Sequence, residues 1–321
     1  MSESSKSASA GQGNLDVFAA TLAELARADR NVLAVCSDSR GSGKLTAFGK
    51  ELPGQLVEVG IAEQNLVGVA AGLASCGKTV FAVSPACFLT ARALEQIKND
   101  VAYSDQPVTL VGISAGVSYG ALGATHHSIH DLAALRAIHN LTIVVPADTH
   151  ETRCAVRAAA KAEHPVYLRF GKRPLPDLHT PGTRFEFGKA ITIRRGKDVT
   201  FIACGETVRH AVDAAGVLGG EGVSAGVISM HTVKPLDAQA VLAAAKSSRA
   251  IITVEEHSVH GGLGEACAAV LADSGARVAF AIVGFPDEYM VTGSQLEIFA
   301  HYGLSAEGLA RQARELVGSN A

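Results

Sequence analysis

The stretch LVEVGIAEQNLVGVAAGLASCGKTVFAVS, residues 56–84, decides how the rest of the chain is read. A short apolar run (Leu56, Val57, Val59) comes first, then small and apolar residues at helical spacing from Leu66 to Leu73, then a β-branched run over 78–84. Strand, helix and strand in that order are the repeating unit of a parallel sheet. One acid, Glu63, stands between the first run and the helix, among neighbours that read as buried. A glutamate in the first turn of a helix is favoured by the helix dipole, which is one sufficient reason for its presence. A carboxyl held in an apolar corner for chemistry is the other.

The same alternation runs outward from there. Apolar residues at helical spacing cover 15–30, and buried strands are expected within 31–38, 107–114, 141–148 and 165–170, with a helix through ALEQIKNDVAYS. Asp148 or Thr149 is placed to cap the helix that begins at HETRCAVRAAAKAE. The stretch 171–185 holds three prolines and reads as a linker, because proline removes a donor and fixes φ. Beyond it, strands expected within 198–204, 223–230, 250–256 and 277–284 alternate with helices over 205–219, 237–246 and 262–273. The expected fold is α/β, with two domains that are each a mainly parallel sheet flanked by helices. The division is a disordered polar tail over 1–13, a first domain over 14–175, a linker over 176–188 and a second, smaller domain over 189–321 with four parallel strands.

Composition narrows the function. With 18% charged and 48% hydrophobic residues, the 321-residue chain can bury two sizeable cores. A net charge of −3 without a basic block gives nucleic acid no footing. Six widely separated cysteines without a C-x-x-C pair read as reduced thiols of a cytoplasmic protein. No apolar run approaches the roughly 20 residues that span a bilayer. RGSGKLTAF lacks the first glycine (Asp38 stands there) and the hydroxyl (Leu45) of a phosphate loop. GGLGEA lacks dinucleotide spacing, Ser118 in GVSYG lies within a loop, and His126, His127 and His130 lack the ligands that would complete a zinc site.

The ordered series FLTARALEQIKNDVAY, SAGVSYGALGATHHSIHDLAALR, VVPADTHE and VYLRFGK resembles the pyrimidine-binding half of transketolase and its thiamine-diphosphate relatives. MHTVKPLD and VEEHSVHGGLGEA resemble the C-terminal domain of the same family, so the resemblance covers nearly the whole chain. It implies a transferase that moves a two-carbon ketol unit from a ketose phosphate to an aldose. Glu63 falls on the acid that hydrogen-bonds the cofactor's aminopyrimidine; an apolar pocket would raise its pKa. Phe88 falls on the aromatic that stacks on that ring, and Asp38 on a loop near the thiazolium. His126 falls on a histidine facing the substrate, Arg169 on an arginine that grips the sugar phosphate, and Ser42 near that phosphate. Read as residues alone, Phe88 could be core, His126 and His127 structural, and Arg169 a surface ion pair.

Departures from the family pattern bear on the substrate. Pro85 replaces a ring-packing aromatic, His127 a glutamine, Leu122 a sugar-binding aspartate and Ser114 a histidine that contacts donor or phosphate. Losing polar contacts in a site that reads hydroxyls changes selectivity, which implies a branched, deoxy or sulfonated sugar. The family holds Mg²⁺ and the diphosphate through a G-D-G segment, which this sequence lacks. The resemblance therefore implies a split enzyme. This chain would be its C-terminal subunit, without metal ligands of its own, and a separate N-terminal subunit would supply the diphosphate and Mg²⁺ site in a heterotetramer. The β subunit of a 2-oxoacid dehydrogenase, a deoxyxylulose-phosphate-synthase-like enzyme and a non-catalytic binding protein on the same fold are the alternatives.

Overall fold

A computed structural model describes residues 12–318 except 175 and 181. The expected disordered tail thus lies outside the described residues, apart from Gln12 and Gly13. Apolar, β-branched runs form the strands β1 (Val32–Cys36), β2 (Leu56–Glu58), β3 (Thr79–Pro85), β4 (Val108–Ile113), β5 (Thr142–Val144) and β6 (Val166–Arg169). After the linker come β7 (Ile191–Arg194), β8 (Val199–Ala203), β9 (Ala225–Ser229), β10 (Thr232–Lys234), β11 (Ala250–Ser258) and β12 (Ala279–Phe285). They build a seven-stranded sheet in the order β10-β5-β6-β4-β3-β1-β2 and a five-stranded sheet in the order β12-β11-β8-β9-β7. Every neighbouring pair is parallel except β10 with β5 and β7 with β9. The two mainly parallel sheets expected from the sequence are present.

Two strands lie outside the expected set because they are short and carry little apolar signal. The edge strand β7, ITIR, is half-buried and alternating. β10, TVK, follows β9 in sequence yet joins the first sheet, so the two sheets are stitched by the chain itself. The helix expected through ALEQIKNDVAYS is one α-turn, Leu94–Gln96, running into a π-helical stretch, Ile97–Tyr103. Asp148 rather than Thr149 caps the helix Thr149–Ala159: its side chain accepts from the Glu151 amide at 2.9 Å. The Glu151 carboxylate in turn accepts from the Ala147 amide at 2.7 Å.

One apolar cluster runs from Val35, Leu66 and Val80 in the first domain to Ile202, Val241 and Ile251 in the second, so the domains share a core. A polar seam crosses beside it. Arg169, at the end of β6, is buried; its Nε donates to Asp131 Oδ2 at 2.7 Å and its Nη2 to the carbonyls of Ser128 and Glu256, each at 2.9 Å. The Tyr167 hydroxyl donates to the same Asp131 oxygen at 2.7 Å. Burial alone would raise the Asp131 pKa, but the Arg169 charge and these hydrogen bonds outweigh it and hold it below its ordinary value.

Glu256, on β11, accepts the Val117 amide at 2.9 Å and the Gln295 side chain at 2.8 Å. The same Gln295 amide nitrogen donates to Glu206 at 2.9 Å. Gly116, with φ of +61°, makes room for this arrangement: a Cβ there would lie 2.2 Å from the Glu256 carboxyl carbon. Burial, reinforced by the neighbouring Glu206 carboxylate, pushes the Glu256 pKa up, and burial also raises that of Glu206.

A carboxyl raised in the folded state contributes full stability below its unfolded pKa and loses it as pH climbs toward the folded value. Glu256→Gln should therefore flatten the decline of Tm between about pH 5 and pH 8. Thermal melts of both proteins across that range check this; parallel curves would mean that Glu256 is ionised throughout.

Candidate active site

Glu63 opens the helix Glu63–Ser75, and only 5% of it is exposed. Its Oε1 accepts from Arg92 Nη1 at 2.9 Å, and Arg92 closes the next helix, Ala86–Arg92. The apolar neighbours of Glu63 on its helix, Leu66 and Val67, are fully buried. Ile61 is 75% exposed, and the acid faces an open cavity of about 640 Å³ lined by residues 61–65 and Arg92. Gly60, at φ +74°, turns the chain after β2, just before the exposed Ile61.

Rings extend the site away from Glu63. The Arg92 guanidinium carbon lies 4.2 Å from the centre of the Phe88 ring. Phe88 meets the His126 ring edge-on at 5.4 Å, and His126 meets Tyr119 edge-on at 5.4 Å. His126 Nδ1 and Thr125 Oγ1 are 2.9 Å apart. Lys172 Nζ stands 3.6 Å from the centre of the Tyr119 ring. The Tyr119 hydroxyl faces the side chains of Ser114 and Ser42, and burial raises its pKa. Ser114 is fully buried with φ of +54°, and its hydroxyl has no hydrogen-bond partner among the described residues. Such a strained backbone and orphaned hydroxyl are costly inside a fold and common where a ligand binds.

Six of the sequence-predicted residues thus meet on one face: Glu63, Phe88 and His126 through Arg92 and the ring contacts, Ser42 and Ser114 through Tyr119, and Leu122, 56% exposed, in a one-turn 3₁₀ segment Gly120–Leu122. Asp38 is exposed, at φ +50°, and its amide donates to Glu58 Oε1 at 2.6 Å. Arg169 departs from its expected role. Its guanidinium is 5% exposed and committed to Asp131 and two carbonyls, so it holds the seam rather than an open phosphate site. His127 is also inward: Nε2 meets the Gly120 carbonyl at 2.9 Å, and burial lowers its pKa, which keeps the ring neutral. Tyr119, Arg92 and Lys172 join the site without having been singled out by sequence. An aromatic set among glycines in GVSYGALG, and a lysine just after β6 in RFGK, were the available signals.

A planar heterocycle with ring nitrogens fits this corner. Glu63 offers a carboxylate beside an open cavity, and Phe88 offers a half-buried aromatic surface. Comparison with known proteins agrees with that fit. The description "Transketolase, pyrimidine binding domain" matches residues 13–177, and "Transketolase, C-terminal domain" matches residues 188–309. The chain belongs to the transketolase family, and thiamine-diphosphate dependence comes with that membership. Within the family it is similar to one subunit of the apulose-4-phosphate transketolase of Phocaeicola vulgatus, at 50% identity over 94% of this chain and 96% of that one. It is 36% identical to the 6-deoxy-6-sulfo-D-fructose transketolase subunit of a Clostridium species (strain MSTE9), over 94% of this chain and 93% of that one. A solved split-gene transketolase, described as an inactive β4 tetramer, superposes with a TM-score of 0.87 at 35% identity, covering 96% of this chain and 99% of that one.

The two adjacent histidines have opposite surroundings, and their substitutions should separate. His127→Ala removes a buried hydrogen bond and should destabilise the fold by about 1–3 kcal/mol. His126→Ala should leave stability within about 1 kcal/mol while removing a group from the open face. Denaturant melts of both variants decide it; a larger loss at His126 than at His127 would reverse the assignment.

Proposed function

We propose that this chain is the C-terminal subunit of a split transketolase and contributes the aminopyrimidine half of a thiamine-diphosphate site. The observation that carries this reading is the open cluster of Glu63, Phe88 and His126 on one face of the chain, with Glu63 beside an exposed cavity. Thiamine diphosphate, when bound, would supply the carbon nucleophile and the electron sink for breaking a carbon–carbon bond next to a ketose carbonyl. Glu63 would bond a ring nitrogen of the aminopyrimidine and fix its protonation state. Phe88 would pack against that ring. His126, with Nδ1 turned to Thr125, would use its Nε2 to hold or move a proton at the substrate oxygens. Asp38 would border the cofactor near the thiazolium, on a loop that Glu58 braces.

The rest of the site would come from an N-terminal partner subunit carrying the diphosphate and Mg²⁺. Mg²⁺ is held by few carboxylates plus phosphate oxygens, and among the described residues no cluster of three His, Cys, Asp or Glu side chains could hold an ion. Two copies of each chain would form a heterotetramer in the cytoplasm, with the division into domains falling at residues 176–188. The relatives named as transketolase subunits support a separate partner, and the inactive β4 tetramer of the solved relative fits a chain that lacks half of its site.

The donor would be a non-standard ketose. Leu122, exposed, and Ser114, buried, would offer the substrate one apolar side chain and one small hydroxyl. Less hydroxyl reading there leaves room for a branched or modified carbon chain, and relatives named for apulose 4-phosphate and 6-deoxy-6-sulfofructose support that direction.

The purified chain alone should show no ketol transfer with apulose 4-phosphate, and the assembly with its partner should. In the assembly, Glu63→Gln should lower kcat by about 100-fold or more, the range of general acid–base catalysis. Activity in the lone chain, or an unchanged kcat in Glu63→Gln, would overturn the proposal.

A further inference from the structure

The two side chains given to the aminopyrimidine, Glu63 and Phe88, are both engaged in this chain by one guanidinium. Arg92 Nη1 donates to Glu63 Oε1 at 2.9 Å, and the Arg92 guanidinium carbon lies over the Phe88 ring, 4.2 Å from its centre. The arrangement has a cause in the sequence. Glu63 is buried at the start of its helix, and a buried carboxylate needs a donor whenever no ligand supplies one. Arg92 lies four residues beyond Phe88 on the helix Ala86–Arg92, one turn along the same face. A single long side chain can therefore cover the ring and reach the acid.

We propose that Arg92 is a built-in stand-in for the aminopyrimidine, filling its place until the cofactor displaces it; this rests on the thiamine-diphosphate reading above. The likeness is chemical. A guanidinium and a protonated aminopyrimidine are both planar cations with N–H donors in the plane, and both stack by their faces on an aromatic ring. A carboxylate beside a phenyl ring therefore receives either one through the same contacts. The Arg92 side chain also has a way out. It is 49% exposed and borders the open cavity lined by residues 61–65. Exchange replaces one charge-assisted hydrogen bond to Glu63 with another, so the acid is not left buried without a donor at either stage. The consequence falls on cofactor affinity. Binding requires the form in which Arg92 has withdrawn, and the apparent Kd rises as that form becomes rarer.

The test titrates thiamine diphosphate with Mg²⁺ into the cofactor-free assembly and follows binding by calorimetry. Arg92→Ala should lower the apparent Kd by about tenfold, the removal of one competing charge-assisted hydrogen bond. Arg92→Lys, which keeps the charge without the planar fork, should fall between the two. An equal or weaker affinity in Arg92→Ala would overturn the proposal, because Arg92 would then hold Glu63 for the cofactor rather than in its place. A second readout needs no cofactor. In the purified chain, millimolar guanidinium chloride should raise the Tm of Arg92→Ala by entering the vacated place, and should raise neither the wild type nor Arg92→Ala/Glu63→Gln. No rise in Arg92→Ala refutes the stand-in. A rise there, in a protein whose wild-type assembly takes up no thiamine diphosphate, upholds a slot for a planar cation and sinks only the thiamine-diphosphate reading.

Discussion

A buried guanidinium, Arg169, sits where the two halves of the molecule meet. Arg169 ends β6 in the first sheet, pairs with Asp131 at the head of the helix Asp131–Arg136, and reaches the Glu256 carbonyl in β11 of the second sheet. Removing either partner of such a pair leaves an uncompensated charge in the interior and typically costs about 3–5 kcal/mol. Apolar contact between the domains supplies bulk attraction without direction. Of the Arg169 bonds, the one to the Glu256 carbonyl crosses between the domains and adds direction to that contact.

The consequence reaches the site through one loop. Gly116 and Ser128 exchange backbone hydrogen bonds at 3.1 and 2.7 Å, closing the loop that carries Tyr119, Leu122 and His126. Glu256 grips that loop at the Val117 amide, and Arg169 grips it at the Ser128 carbonyl. The second domain thus acts on the active face through this loop. Its β11 sets where Tyr119 and His126 stand relative to Phe88 and Glu63. A C-terminal domain set behind the open face is still needed to shape it.

Much of this was legible in the sequence, and the parts that were not share a cause. Long β-branched runs and Ala-rich helical stretches mark the central strands and helices, because burial on both faces leaves little room for other residue types. β7 and β10 escape notice because a short edge strand is specified by its partner rather than by its own composition. The site residues are found by type and order: Glu63, Phe88, His126, Ser42 and Ser114 do face one region. Direction is not readable in this way. Whether Arg169 points outward to a phosphate or inward to Asp131 depends on residues 38 and 87 positions away. Tyr119 and Lys172 matter through their contact with each other, which spacing does not reveal. The buried neighbours Leu66 and Val67 follow from residue type, whereas the cavity and Arg92 that Glu63 also meets do not.

An acid set beside an open cavity, with Arg92 between it and the Phe88 ring, describes a site that awaits another surface. The central claim is that this chain forms half of a thiamine-diphosphate site with a second subunit. Its most direct measurement is recovery of the tagged chain from its native cells, with mass spectrometry and a thiamine assay on the purified material. Co-recovery of a second chain bearing a G-D-G segment, together with thiamine diphosphate, is the predicted result. Recovery of the chain alone and free of cofactor would contradict it.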